Sequence, residues 1–428
     1  MPSRDEHPRS GWSRRRALTA LGLAGAGAAG LTGLAACTDD KGGGGPFGLG
    51  GEPEPKARVA VTTPADGAKE VPAATEIVFA ATDATQVTVE MTDASGTKLE
   101  GAMHPDGKGW LPAKTLDYGG AYTAKVTATG DDGKTATATT KFTVMAKPAK
   151  QVRFTSFLAD GAVVGVGMPL IVRLSRAIPQ AQRAAVQRRL LVRADPVQEG
   201  IWTWYSDTEL HWRPREFWTS GTRVFVDFRV GGLPCGDGYY GRTDLTLECS
   251  IGPALVMTVD DKASPKVMTV TRDGAVLKKI PVSLGRASMP SSSGTMVVIE
   301  KAAKTVFDTR TDPNPANRYR VDIDWAQRLT WGGEFIHSAP WSVDDQGRRN
   351  VSHGCINMSP ANAKWLFQQT KMGDPVIVKG TSRQLQYGNG WTDFDKPWEE
   401  YVKGSAIPYV APSASGSVTP AEPTPTPS

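Results

Sequence analysis

The sequence predicts a mostly-β chain of three successive modules: two β-sandwiches, then a third β module with one main helix. Two observations carry this. Short runs alternating apolar and polar residues recur along the chain with turn residues between them, and 46 Gly and 31 Pro in 428 residues supply those turns. Only one stretch, beginning at Ser359-Pro360, combines a capping residue, a proline at the first helical position and apolar residues at helical spacing.

The chain opens on Ser13-Arg14-Arg15-Arg16, a basic segment leading into an Ala/Gly/Leu run that ends at Leu34-Ala35-Ala36-Cys37. This reads as an export leader over residues 1–36. A transmembrane helix fits less well, because the run is glycine-rich and barely long enough to span. The small residues before Cys37 resemble a bacterial lipobox, which makes Cys37 the expected lipid-modified N-terminus of the mature chain. The arginines leave both the twin-arginine and the general secretory route open. Residues 37–57 lack apolar periodicity and read as a flexible tether with a reach of roughly 25 Å.

Over residues 58–148, Glu76-Ile77-Val78-Phe79, Gln86-Val87-Thr88-Val89 and Tyr122-Thr123-Ala124-Lys125-Val126 alternate, separated by turns such as Ala65-Asp66-Gly67 and Ala94-Ser95-Gly96. The spacing is that of an immunoglobulin-like β-sandwich. Residues 149–252 repeat the texture, with Leu170-Ile171-Val172-Arg173-Leu174 and Arg223-Val224-Phe225-Val226-Asp227-Phe228 as strands and a short helix within Ala181–Leu191. Residues 253–380 form the third module. It opens on a hairpin, Val267–Val270 and Ala275–Leu277 around Arg272-Asp273-Gly274, and it closes on the helix and a strand at Val376-Ile377-Val378. Trp391, Phe394, Trp398 and Tyr401 give residues 381–410 too much aromatic surface to leave in water, so that stretch is expected to pack back as an extension. Residues 411–428, rich in Ser, Thr and Pro, read as a disordered tail.

The formal charge of +5 comes from 49 basic and 44 acidic residues spread along the chain, too diffuse for a nucleic-acid partner. There are four cysteines, Cys37, Cys235, Cys249 and Cys355. With Cys37 acylated, Cys235 and Cys249 close a short loop and are the disulfide candidate, leaving Cys355 as an odd thiol in an oxidising compartment.

Two of the five histidines, His337 and His353, lie close to Cys355 in the sequence. The text reads Phe335-Ile336-His337-Ser338-Ala339-Pro340-Trp341, a polar loop, then Val351-Ser352-His353-Gly354-Cys355-Ile356-Asn357, as two β-like segments that each end in a reactive residue. A cysteine nucleophile needs a neighbouring base or cation to favour its thiolate, and either histidine could serve; a base from a neighbouring strand, His337, approaches the sulfur more squarely. A zinc site would lack a fourth ligand and the usual spacing, so no metal and no cofactor is expected. Gly354 before the cysteine marks a position where a side chain would block a ligand or strain the turn, and fits an oxyanion site of backbone N–H groups.

His337, fourteen residues (338–351), then Ser352-His353-Gly354-Cys355 and Asn357 resemble the signature of the L,D-transpeptidase catalytic domain. The likeness extends over Asn317-Arg318-Tyr319-Arg320, Gly332-Gly333 and His337–Val343, and the architecture is similar to mycobacterial-type members with two immunoglobulin-like domains before the catalytic one. The resemblance implies a catalytic β-sandwich that joins peptidoglycan stems. Cys355 attacks the carbonyl after the third residue of a tetrapeptide stem, D-alanine leaves, a thioester forms, and the side-chain amine of a second stem resolves it into a 3→3 cross-link. It further implies His337 as base, oriented by the Ser338 carbonyl, with backbone N–H groups of His353, Gly354 and Cys355 receiving the oxyanion. Tyr319, Gly332, Gly333, Ser352 and Asn357 are implied as donor-stem contacts, with Met289 and Trp341 lining a lid. The implied partners are peptidoglycan stems, the cytoplasmic membrane through the lipid anchor, whose outer face is the expected location, and carbapenem-type β-lactams as covalent inhibitors.

Overall fold

A computed structural model describes residues 54–104 and 107–410. The leader, Cys37, the tether up to residue 53 and the tail from 411 lie outside the described residues. None of the described helices is long and apolar enough to cross a membrane.

The first sandwich has two four-stranded sheets. One runs, neighbour to neighbour, Arg58–Thr63, Ile77–Thr82, Gly109–Pro112, Gly101–Met103; the other Ala68–Val71, Thr135–Val144, Ala121–Thr129, Gln86–Asp93. The period-two pattern explains the packing. In Ala121–Thr129 the buried residues are Tyr122, Ala124, Val126 and Ala128, and the first three meet Ile77 and Phe79 of the facing sheet. Each large side chain so buried is worth about 1.5–3 kcal/mol.

The second sandwich pairs Phe154–Ser156, Leu170–Leu174, Glu209–Pro214 and Gly200–Trp204 against Ala162–Val164, Leu245–Ile251, Arg223–Phe228 and Leu190–Asp195. The Gln/Arg/Ala-rich stretch forms a helix, Gln180–Arg188. Trp202, Trp212 and Trp218 fill the core, and the indoles of Trp202 and Trp218 donate to the carbonyls of Leu190 at 2.7 Å and Met168 at 2.8 Å.

The expected disulfide is not made: Cys235 and Cys249 are both free and buried. Cys235 lies in Pro234–Gly236, part of a small three-stranded sheet, and its thiol donates to the Leu233 carbonyl at 3.3 Å. Cys249 lies in Leu245–Ile251 of the main sandwich, opposite Val224. Though near in sequence, they lie on different sheets, and each thiol is kept neutral by burial, pushed up to about 12 and about 11 respectively.

The third module stacks a six-stranded sheet (Ala275–Pro281, Val267–Arg272, Leu255–Asp260, Pro375–Lys379, Ser292–Val297, Arg383–Gln384) with a four-stranded one (Glu300–Asp308, Arg320–Arg328, Phe335–Ser338, Ile356–Met358). Asp273 and Gly274, at φ 48° and 83°, make the tight turn of the opening hairpin. The main helix is Pro360–Gln369, capped by the Ser359 hydroxyl, which accepts from the Asn362 N–H at 3.4 Å. It buries Ala363 and Leu366 against a core that includes Ile336, Ile356 and Val376.

Backbone contacts seat this module on the second sandwich. The N–H groups of Gly165 and Gly167 donate to the carbonyls of Met372 at 2.8 Å and Gly373 at 2.9 Å. Val297 and Ile299 of the third module enter the core of the second sandwich.

The aromatic residues of the C-terminal extension are buried chiefly against the second sandwich rather than the third module. Trp391 joins its core, and the Tyr401 carbonyl accepts from the Thr203 hydroxyl at 3.0 Å. The Arg213 guanidinium lies over the rings of Phe394, Trp398 and Tyr401, 4.4–5.2 Å from their centroids.

Candidate active site

The strand Phe335–Ser338 pairs in parallel with Ile356–Met358, which sets His337 beside Asn357. After Ser352, which bridges Gly285, residues 353–355 precede that second strand as a bend, not as a β segment. Strand alternation therefore does not put His353 on the face of Cys355; its ring packs instead on Tyr319, with centroids 5.3 Å apart.

Hydrogen bonds fix the turn. The Ser352 hydroxyl donates to the Cys355 carbonyl at 2.6 Å and accepts from the Gly354 N–H at 3.1 Å. The Ser291 hydroxyl donates to the Gly354 carbonyl at 2.7 Å and accepts from the Gly285 N–H at 3.0 Å. Gly354 has φ 125°, a region L side chains rarely adopt, so the need for glycine is conformational. Its N–H is taken up by Ser352, unlike the free oxyanion donor that the resemblance implies.

His337 is 3% exposed, and its Nδ1 lies 2.8 Å from the Ser338 carbonyl oxygen. A carbonyl only accepts, so Nδ1 carries the proton and Nε2 is the free base nitrogen. Phe307 meets the ring edge-on, centroids 5.2 Å apart. Burial pulls the imidazole down to about 4, against the opposing pull of the Ser338 carbonyl. Burial likewise pushes the Cys355 thiol up to about 12; a hydrogen bond from the Phe335 backbone opposes this and the Glu334 charge adds to it. The thiolate favoured by a neighbouring base, expected from the sequence, is not the resting state: thiol and imidazole are both neutral near neutral pH. The reason is that a neutral imidazole in a dry site offers no charge to stabilise a thiolate.

A cavity of about 450 Å³ collects His337, Cys355, His353, Tyr319, Trp341 and Phe307, with Ser352 and Asn357 also on its wall. The Asn357 side-chain NH₂ donates to the Ser342 hydroxyl at 3.1 Å, while its Oδ1 is buried without a partner. Trp341 is 57% exposed at the rim. Gly333 contributes to an adjoining cavity of about 250 Å³ that shares Phe307 and Tyr319, and its carbonyl accepts from the Cys355 thiol at 3.7 Å. Met289 lies apart from both linings, in the Gly285–Ser291 turn, where its sulfur accepts from Arg286 at 3.4 Å.

Several residues to which the sequence assigned no role join the site. Phe307 and Val321 line the cavity, Ser291 holds the turn, and the buried Glu334 carboxylate accepts from the Ser292 hydroxyl at 2.8 Å and pairs with Arg383. A candidate for Phe307 could have been found in the alternation of its strand. Arg383 and Ser291 come from distant segments and carry no local signal.

Two family descriptions match the chain: a bacterial Ig domain over residues 68–234 and an L,D-transpeptidase catalytic domain over residues 256–378. The second range contains His337 and the turn at Cys355. L,D-transpeptidase 5 of Mycobacterium tuberculosis is 36% identical over 417 residues, covering 95% of this chain and 88% of that protein. L,D-transpeptidase 2 of the same organism is 35% identical over 357 residues, covering 82% and 85%. Among solved structures, the LD transpeptidase LdtMt1 in complex with imipenem is 35% identical, covers 54% of this chain and all of that one, and superposes with a TM-score of 0.46. With a catalytic-domain match around the Cys355 cavity and relatives alike over most of both chains, this chain belongs to the L,D-transpeptidase family.

Proposed function

We propose that the protein forms 3→3 peptidoglycan cross-links, with Cys355 as nucleophile and His337 as general base. The observation that carries this reading is the Nδ1 contact of His337 with the Ser338 carbonyl, which fixes the tautomer and leaves Nε2 to take a proton inside the cavity that holds Cys355.

A neutral thiol requires proton transfer to accompany attack. As Sγ bonds to the carbonyl carbon of the donor stem, its proton passes to Nε2, and the carbonyl π electrons move to oxygen. Collapse of the tetrahedral intermediate breaks the C–N bond; the departing D-alanine amine takes the proton from the imidazolium, leaving a thioester and neutral His337. An acceptor amine then attacks the thioester and passes its proton through His337 to the leaving sulfur, restoring the thiol. Tyr319, Ser352 and Asn357 line the donor stem's path, and the unpartnered Asn357 Oδ1 is an acceptor for one of its N–H groups. Trp341 covers the rim. The same thiol is the expected site of carbapenem acylation. Lipid attachment at Cys37 would hold the enzyme at the outer face of the cytoplasmic membrane.

The test is mass spectrometry of products from a disaccharide-tetrapeptide, comparing wild type with Cys355→Ala and His337→Ala. A dimer lighter by one D-alanine, absent from both variants, is the expected result. A monomer that merely loses D-alanine would make the enzyme a carboxypeptidase, and a dimer from Cys355→Ala would end the proposal.

A further inference from the structure

The turn Gly332–Glu334 carries the carbonyl that receives the Cys355 thiol, and two residues of the C-terminal extension grip it. At one end the Gly332 N–H donates to Asn389 Oδ1 at 2.7 Å. At the other Arg383 pairs with the Glu334 carboxylate and donates from Nε to the Ser292 hydroxyl at 3.0 Å. Between these grips, Gly333 stands with φ 92° and its carbonyl 3.7 Å from Sγ.

We propose that Asn389 and Arg383 are positioning residues for Cys355, acting through this turn. The inference rests on the reading of Cys355 as nucleophile. Trp331, Gly332 and Gly333 are solvent-exposed, and two consecutive glycines leave the turn little intrinsic stiffness. Within it the Glu334 N–H donates to the Thr330 hydroxyl at 3.0 Å and the Gly333 N–H to the Thr330 carbonyl at 3.3 Å, whereas the Gly332 N–H is taken up by Asn389. The extension is built to approach: Gly390 lies so close that a Cβ there would come within 2.8 Å of the Leu329 carbonyl, and Gly332 meets the Asn389 carboxamide in the same way at 3.2 Å. Trp391 stacks edge-on to Trp331, centroids 6.2 Å apart, and anchors the segment in the core of the second sandwich. Released from Asn389, the turn lets the sulfur drift from its line of attack, and a displacement near 1 Å is enough to cost up to about a hundredfold in rate. Removing Arg383 instead leaves the buried Glu334 charge uncompensated beside the thiol, which opposes the negative charge that builds on the sulfur as its proton leaves.

The experiment is the single-turnover acylation of the full chain by imipenem, followed by intact mass. Asn389→Ala is expected to acylate about tenfold more slowly, and Asn389→Asp, whose carboxylate still accepts from Gly332, to recover most of that loss. Arg383→Gln is expected to be slower too, and Arg383→Lys, which restores a cation beside Glu334, to recover part of that loss, a rescue that lost packing alone would not give. Asn389→Ala within about twofold of wild type, or an Asp variant as slow as the Ala variant, overturns the role of Asn389. Should Asn389→Ala fail to fold, Arg383→Gln decides, and an unchanged rate there, or an Arg383→Lys variant as slow as Arg383→Gln, overturns the proposal. Cys355→Ala separates the two readings: imipenem mass on that variant removes the nucleophile assignment, whereas its absence leaves the positioning variants to be judged alone.

Discussion

His211 Nδ1 lies 2.9 Å from Asp393 Oδ1 while its Nε2 lies 2.8 Å from Glu209 Oε1, so one buried imidazole joins the second sandwich to the C-terminal extension. Both ring nitrogens face carboxylate oxygens, which only accept, so the ring is held as imidazolium. Burial alone would lower its pKa, but the Asp393 charge and the hydrogen bonds to Asp393 and Glu209 outweigh it and raise it to about 9. A folded-state value above the unfolded one stabilises the fold fully below pH 6.5, and that contribution is lost as pH rises through about 9. Denaturant unfolding should therefore show stability falling across that window. His211→Gln should flatten the fall and, at the acid end, cost about 3–5 kcal/mol because the buried Asp393 charge loses its cationic partner and keeps the Tyr401 hydroxyl at 3.3 Å. Parallel wild-type and variant curves would refute this.

The pH dependence of catalysis follows from a different histidine. In the proposed mechanism His337 must be neutral to accept the thiol proton, and burial holds its pKa at about 4 rather than 6.5. We expect kcat/KM for acylation to fall on the acid side only as pH drops through about 4, with no inflection at 6.5. With the thiol pushed up to about 12, ultraviolet difference spectra between wild type and Cys355→Ala should show no thiolate absorbance at neutral pH. A thiolate band there would mean a resting ion pair and a different order of proton transfer.

The mostly-β class was legible because burial here is simple alternation: Tyr122, Ala124 and Val126 face inward in the order their spacing predicts. The helix at Pro360 was legible for a local reason too, its Ser359 cap, although Thr370 turns extended and ends it before Lys371. What the sequence hid is set by distance along the chain. The aromatic count of the extension said that Trp391 and Tyr401 had to be buried, but nothing local said that Arg213 and Thr203 would receive them. Asn389 meets Gly332 across 57 residues, and Arg383 meets Glu334 across 49. The cysteine pairing failed for the converse reason, since Cys235 and Cys249 are near in sequence yet sit on separate sheets. The neutral Cys355–His337 pair was hidden because both shifts arise from burial, which a motif does not record.

The seam between the second sandwich and the third module depends on missing side chains. A Cβ on Gly165 would stand 2.2 Å from Asp374 Oδ1 and 2.3 Å from the Asp374 nitrogen, where backbone rather than a flexible side chain must yield. Gly165→Ala should therefore destabilise by about 1–3 kcal/mol or more, read as a lower Tm. Gly161→Ala is the comparison: no atom lies within 4 Å of its Cβ, so the only penalty there is its positive φ of 74°. Equal losses at both positions would show that the seam is not tightly packed.

Gly354→Ala tests whether the turn before Cys355 is kept for its conformation. The new methyl has room, since the nearest atom, Glu334 Cγ, would be 3.6 Å away, an ordinary contact. What alanine cannot tolerate is φ 125°, and relaxing it costs about 1–3 kcal/mol of local strain. The turn would relieve that strain by rotating the 353–354 peptide, breaking the bond from the residue 354 N–H to the Ser352 hydroxyl and loosening that hydroxyl's bond to the Cys355 carbonyl. Those two bonds aim Sγ, so the variant should keep its fold, with Tm changed by a few degrees at most, while imipenem acylation of Cys355 drops at least about tenfold. A variant that acylates at the wild-type rate would show that the turn accepts another backbone path without moving the sulfur.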